Sequence, residues 1–298
     1  MKIVFKLMLA VLAVSTLMFS SCKKDKDGVY APGKKLKTIE SYSIITNQGI
    51  ETKQLTQLTE FYWDGKKISK VVYKDNENWQ MGSISFKYDN KKRFSEILHE
   101  SSEDYTSLFK FFYEGKDLVK IVEYSDKDLD DIESDYIFTK LDSKITEIKH
   151  TIYKDDKKAE FSPLQLIIPQ DIALDFERQS STRKEVTTLS LTWEGSNVVK
   201  IVLSNGINDP IINEMTYDDK INPIKGLYTQ SFYYSPAELY SANNILTDSS
   251  TLPNIGKLTT EYTYEYDKDD YPVKQTYFKN MSLSKYISSK HVIEYTYE

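Results

Sequence analysis

The sequence predicts an all-β protein: one long antiparallel meander of repeated hairpins, about 16–20 strands, curved into a barrel or half-barrel and carrying a short helical insert. Three observations predict it. A unit of about 25 residues recurs along most of the chain. Within the unit, apolar and polar side chains alternate with period 2, as on a strand with one buried face. Tyr, a strand former, occurs 23 times in 298 residues, with only 10 Gly and 8 Pro to interrupt strands. The formal charge of −6 argues against a general nucleic-acid binder, and the single cysteine excludes a disulfide scaffold.

Taken in order, the chain opens with an export signal over residues 1–21. Lys2 and Lys6 form a basic start, and Leu7 to Phe19 is an apolar run of 13 residues. A membrane-spanning helix needs about 20. Phe19-Ser20-Ser21-Cys22 then reads as a lipobox, with cleavage before Cys22 and diacylglycerol on its thiol. Cys22 is the only cysteine and stands where that chemistry needs one, which favours lipidation over an ordinary secretory signal. Acyl chains at about 0.8 kcal/mol per buried CH₂ make a firm membrane anchor. Residues 22–37, with Lys23-Lys24-Asp25-Lys26-Asp27, Gly28, Pro32 and Gly33, read as a flexible tether in which a larger residue at Gly28 would cost almost nothing. Residues 38–298 form a single β-repeat domain.

The repeat runs aromatic, acid, Gly, two polar residues, aliphatic, any residue, Lys, aliphatic. Its clean copies are Trp63-Asp64-Gly65 leading to Ile68, Lys70 and Val71; Tyr113-Glu114-Gly115 leading to Leu118, Lys120 and Ile121; and Trp193-Glu194-Gly195 leading to Val198, Lys200 and Ile201. Looser copies begin at Tyr88, Leu141, Tyr217 and Tyr266. The Asp-Gly and Glu-Gly pairs supply the positive φ of tight hairpin turns, so Gly65, Gly115 and Gly195 are structural. Ile84, Phe86 and Tyr88 oppose Ser83, Ser85 and Lys87, and Tyr262, Tyr264 and Tyr266 oppose Glu261, Thr263 and Glu265. Two stretches break the rhythm. Pro163 to Glu185 reads as a long connection with a helical turn near Ala173–Phe176. Within Asn222 to Ser250, Ser235-Pro236-Ala237-Glu238 carries helix-start signals, predicting a short helix to about Ala242 that plugs one end of the sheet. Lys70, Lys120 and Lys200 fall mid-strand, each costing about 2–4 kcal/mol if it faced lipid at the bilayer centre, so the sheet is expected to be water-soluble.

The lipobox, the charged tether, the hairpins, Tyr217-Asp218-Asp219-Lys220-Ile221-Asn222-Pro223, and Tyr262 to Pro272 resemble a Bacteroidetes envelope lipoprotein family of unknown function with a porin-like β fold. The hairpins are also similar to the YD repeats of secreted shell-forming proteins, without the Arg usual after the turn glycine. The resemblance implies an outer-membrane lipoprotein and a β-meander, and supplies no catalytic residues.

No catalytic motif stands out, and no cofactor is expected. His99, His150 and His291 lie far apart in strand-like segments, without the companions a zinc site needs. Asp126, Asp128 and Asp130 alternate as calcium ligands would, making them weak metal candidates. Asp131 stands where the loop glycine should be and Ile137 at the twelfth position, so a solvated loop is favoured. Trp63 and Trp193 occupy the aromatic position of the repeat and are expected to pack. Trp79, in Asn76-Glu77-Asn78-Trp79-Gln80, is the candidate ligand contact, because an exposed aromatic among amides can stack on a sugar ring. The expected function is that of a lipid-anchored, non-catalytic binding or structural protein of the cell envelope. Its partners would be the membrane through its anchor and a glycan or envelope protein, with no nucleic acid. The alternatives are a polysaccharide hydrolase using paired carboxylates, tested by carboxyl separation, and a lipid or small-molecule carrier, tested by an apolar cavity.

Overall fold

The computed structural model describes residues 27–47, 50–102, 106–125, 132–153, 185–228, 236–253, 256–279 and 289–298. These form sixteen strands and one short helix: β1 (Leu36–Asn47), β2 (Ile50–Asp64), β3 (Lys67–Lys74), β4 (Gln80–Tyr88), β5 (Phe94–Ser101), β6 (Thr106–Glu114), β7 (Asp117–Ser125), β8 (Ile132–Leu141), β9 (Lys144–Ile152), β10 (Glu185–Glu194), β11 (Asn197–Ser204), β12 (Ile211–Tyr217), α1 (Pro236–Tyr240), β13 (Ile245–Leu252), β14 (Gly256–Tyr266), β15 (Pro272–Lys279) and β16 (Ser289–Tyr297). Every strand pairs antiparallel with its chain neighbours, and β1 pairs with β16, for example Ile39 with Tyr295, so the meander closes into a barrel. Closure leaves no exposed strand edge.

Tight turns gather at one end of the barrel. Asp64 pairs with Lys67, Glu114 with Asp117 and Glu194 with Asn197, leaving two-residue loops. Gly65, Gly115 and Gly195 sit at the first loop position with φ of +56°, +61° and +56°. Positive φ there, with no positive φ at the second position, is the pattern of a type II′ turn. The copy assigned to Leu141 is shifted by one residue. Lys140 pairs with Ile145 as Trp63 pairs with Ile68, so Lys140 holds the aromatic position. Asp142 and Ser143 then form the turn, both at positive φ.

A second regularity lies beneath the turns. Each odd-numbered strand carries one extra residue near its start: Lys37, Ser69, Ser95, Val119, Thr146, Val199, Leu246 and Val273. Such a bulge takes the preceding carbonyl out of the ladder. Seven of these carbonyls are taken by an aromatic donor on the next strand. Trp63 Nε1 bonds Leu36 O, Tyr88 Oη bonds Ile68 O, Tyr113 Oη bonds Phe94 O and Trp193 Nε1 bonds Ile145 O, at 2.6–2.8 Å. Tyr217 bonds Val198 O, Tyr264 bonds Ile245 O at 2.9 Å and Tyr297 bonds Pro272 O at 2.8 Å. Satisfying a partly buried carbonyl matters because leaving it unpaired costs about 1–3 kcal/mol. The repeat therefore selects Trp or Tyr over Phe, for the polar tip as well as the ring.

The turn end is also filled. Of the tether expected over residues 22–37, residues 27–35 pack into the closed end. Tyr30 is buried, stacks on Trp63 at 5.8 Å and bonds Pro223 O. Phe94 N bonds Gly28 O at 2.8 Å. Asp27 accepts from Leu118 N at 2.9 Å and pairs with Lys140. Ile224, Leu227, Tyr228, Ala237 and Leu239 complete the plug, with Tyr228 edge-on to Phe94 and Phe111. The helix is present but ends at Tyr240, because Asn222 Nδ2 takes the carbonyls of Glu238 and Ser241. The helical turn expected near Ala173–Phe176 lies outside the described residues.

Candidate functional site

The plug defines the inner wall. Phe111 touches Tyr228, so alternation places Phe109 and Ser107 inward, and register carries this across to Ile121 and Glu123 on β7. The inner wall is apolar near the plug and turns polar toward the loop end. There Glu123 lies between Ser107 and Ser134, which donate to it at 3.2 and 2.6 Å. Burial raises its carboxyl to about 7. On the far side Asp248 accepts from Asn213 at 3.0 Å and is pushed by burial to about 7.

The three histidines lie on β5, β9 and β16. His150 is buried and stacks on Tyr136 at 4.2 Å, with burial lowering it to about 3; both ring nitrogens lack a partner among the described residues. Burial lowers His99 to about 4. His291 stacks on Tyr277 at 5.0 Å, and Tyr277 leans on Tyr262 at 5.4 Å. Beside them Gln275 Nε2 donates to Tyr264 Oη at 3.0 Å while its Oε1 accepts from Tyr295 at 2.8 Å. Burial holds Tyr262 and Tyr264 well above the usual phenol range. Glu123 and Asp248 lie on β7 and β13, six strands apart in the barrel order. No group of three or more His, Cys, Asp or Glu suited to a metal occurs among the described residues.

The outer wall has the opposite character. Cross-strand pairs ring it: Lys74 with Glu60 at 2.9 Å, Lys87 with Glu96 at 2.8 Å, Lys120 with Asp135 at 2.8 Å, Lys274 with Glu265 at 2.6 Å and Lys290 with Glu51 at 3.1 Å. The exposed pairs contribute only about 0–1 kcal/mol each and report where water is; Asp135 is 3% exposed, so its pair with Lys120 is half-buried. Lys70 and Lys200 also fall on this outer face, opposite inward Val71 and Ile201 in their strands' alternation. No helix among the described residues is long and apolar enough to cross a membrane.

Trp79 lies at the loop end, 71% exposed. Asp75 builds its loop, accepting from Glu77 N and Trp79 N at 2.8 and 2.9 Å, while Asn78 takes φ of +65°. Trp63 and Trp193 instead pack against the core as latches. Cys22, Asp126, Asp128 and Asp130 lie outside the described residues. Sequence reasoning missed Glu123 and Asp248. Each has a serine two residues on, Ser125 and Ser250, so alternation alone does not declare their faces and the closed barrel does.

The chain is similar in fold to a porin-like protein from Bacteroides uniformis ATCC 8492, with a TM-score of 0.52 at 10% identity over 88% of this chain and 98% of that one. A porin-like protein from Bacteroides vulgatus ATCC 8482 aligns over 89% of this chain and 99% of that one, at 11% identity and a TM-score of 0.33. No protein-family model and no curated protein matches the chain.

Proposed function

We propose that this chain is a non-catalytic protein of the cell envelope, anchored by lipid on Cys22, whose barrel serves binding rather than passage. The observation that carries the reading is the polarity of the wall. A barrel that spans lipid turns an apolar band outward and polar residues inward. Here the inner wall holds Phe61, Val71, Ile84, Phe111, Ile121 and Ile201, and the outer wall carries the lysine–carboxylate pairs. The end opposite the plug carries the exposed Trp79, which among its amides suits a sugar face. The porin-like fold is compatible with this and does not require a pore.

The test combines location and ligand. Wild-type chain should incorporate labelled fatty acid and sediment with membranes, and Cys22→Ala should lose both. On a glycan array the wild type should bind a subset of sugars and Trp79→Ala should lose at least part of that binding. Acyl label persisting in Cys22→Ala, or unaltered glycan binding by Trp79→Ala, overturns the corresponding half.

A further inference from the structure

Two independent features meet on one side of the barrel. The first is the exit of the N-terminal segment. Asp27 is fixed at the closed end, against Leu118 N at the start of β7 and Lys140 at the end of β8. Cys22 is five residues earlier, and five residues span at most about 18 Å. A lipidated Cys22 is thereby held within about 18 Å of the closed-end edge of β7 and β8.

The second feature is a set of exposed apolar side chains around these strands, from Phe112 on β6 to Tyr153 just past β9. Phe112 is 43% exposed, Ile137 42%, Leu141 66% and Tyr153 44%. Phe112 pairs with Lys120, Lys120 with Ile137 and Ile137 with Lys149, so apolar side chains and lysines alternate around the wall. Leu141 continues the patch toward the closed end, on the same face as Ile137 and Thr139. Among the described residues the outer wall also exposes Tyr62 and Phe278, which face Lys70 and Lys290 across their strand pairs. Lys120 is held by Asp135 at 2.8 Å, while Lys149 is exposed; exposed rings and branched chains beside such a lysine are the chemistry of a surface that rests in the headgroup layer, the apolar groups at the acyl boundary and the ammonium snorkelling to phosphates.

We propose that the outer face of β6 to β8, with Phe112, Ile137 and Leu141, is the surface by which the barrel lies on an anionic bilayer. This rests on the lipid anchor at Cys22. The barrel then lies partly on its side, with β16 on the face away from lipid. The patch adds orientation to an attachment made by acyl chains.

Thr139 and Thr296 test it. Thr139 is exposed between Ile137 and Leu141, and Thr296 holds the equivalent position on β16, half the barrel away. Full-length acylated Thr139→Cys and Thr296→Cys would be labelled with an environment-sensitive fluorophore. Each would be bound to vesicles of phosphatidylcholine and phosphatidylglycerol containing a nitroxide lipid quencher. The label at 139 should lose most of its emission and the label at 296 little. Adding Phe112→Ser and Ile137→Ser should restore emission at 139 while the protein stays on the vesicles. Equal quenching at both sites, stronger quenching at 296, or quenching at 139 that survives the double substitution overturns the proposal. If the chain takes up no acyl label and does not bind vesicles, the anchor fails and this orientation falls with it.

Discussion

At the scale of single residues, the fold turns on where polar tips and missing side chains sit. Tyr113 shows the first case. Its hydroxyl donates to Phe94 O at 2.8 Å, and its ring lies under Arg93 at 3.7 Å. Tyr113→Phe keeps the ring and orphans the carbonyl, so a loss of about 1–3 kcal/mol is expected in denaturant melts. A variant as stable as wild type would show that the latch contributes nothing. Glycines show the second case. A Cβ on Gly65 meets nothing within 4 Å, so Gly65→Val costs only the strain of φ +56°, about 1–3 kcal/mol. Gly28 has φ of +67°, and a Cβ there falls on the Tyr113 hydroxyl. Gly28→Val should therefore be the more damaging of the two, reversing what a tether would predict; the same melts rank them. The turn glycines were readable because Asp-Gly between alternating strands has a local cause. Gly28 was not, because its constraint comes from Tyr113, 85 positions away in the sequence.

At the scale of elements, β8 is the informative exception. Its aromatic position is Lys140, which cannot take the place of a ring and a neutral donor, and the barrel meets it with Asp27 from the N-terminal segment. Lys140 also lies 3.4 Å from Asp117. Asp27→Ala leaves Lys140 and Leu118 N without that carboxylate, so residues 27–35 should loosen while the sheet persists. Limited proteolysis should cut this segment several-fold faster than in wild type, and unchanged cleavage would contradict the role given to Asp27. The hairpins and the short helix were legible from period and helix-start signals. The bulges were not, since one extra residue per strand hides within a loose repeat. The plug was legible as an insert, whereas its second half, residues 27–35, has the charged, Gly- and Pro-containing composition of a linker and is ordered only by the closed end it fills.

At the scale of the molecule, the inner wall couples stability to pH. Burial raises Glu123 and Asp248 to about 7 from 4.5 and 3.8, so the folded state binds more protons than the unfolded state up to that pH, and stability falls as pH rises. His99 and His150 are lowered from 6.5 to about 4 and about 3, so their contribution runs the other way and is complete above about 6.5. Between pH 6.5 and 8 the two carboxylates outweigh Lys140, which burial lowers to about 8 and which acts in the opposite sense, so stability should decline. Glu123→Gln removes the buried charge, keeps an acceptor oxygen for one of Ser107 and Ser134 and turns an NH₂ toward the other, whose hydroxyl can accept; it should be more stable than wild type at pH 8 by about 1–3 kcal/mol and by less at pH 5. Melts at the two pH values would show this, and an equal difference at both would contradict it. None of this coupling could be read from composition, because an acid in a period-2 pattern declares its face only once closure decides which face is inside.

The central claim is that the barrel is closed, apolar within and water-facing without, and does not span a membrane with its strands. The most direct measurement is made on Cys22→Ala chain, which lacks the proposed anchor. Purified without detergent, it should sediment as a soluble species with a β-dominated circular dichroism spectrum and produce no stepwise conductance in planar bilayers. A requirement for detergent, or discrete channel openings from the folded protein, would contradict the account.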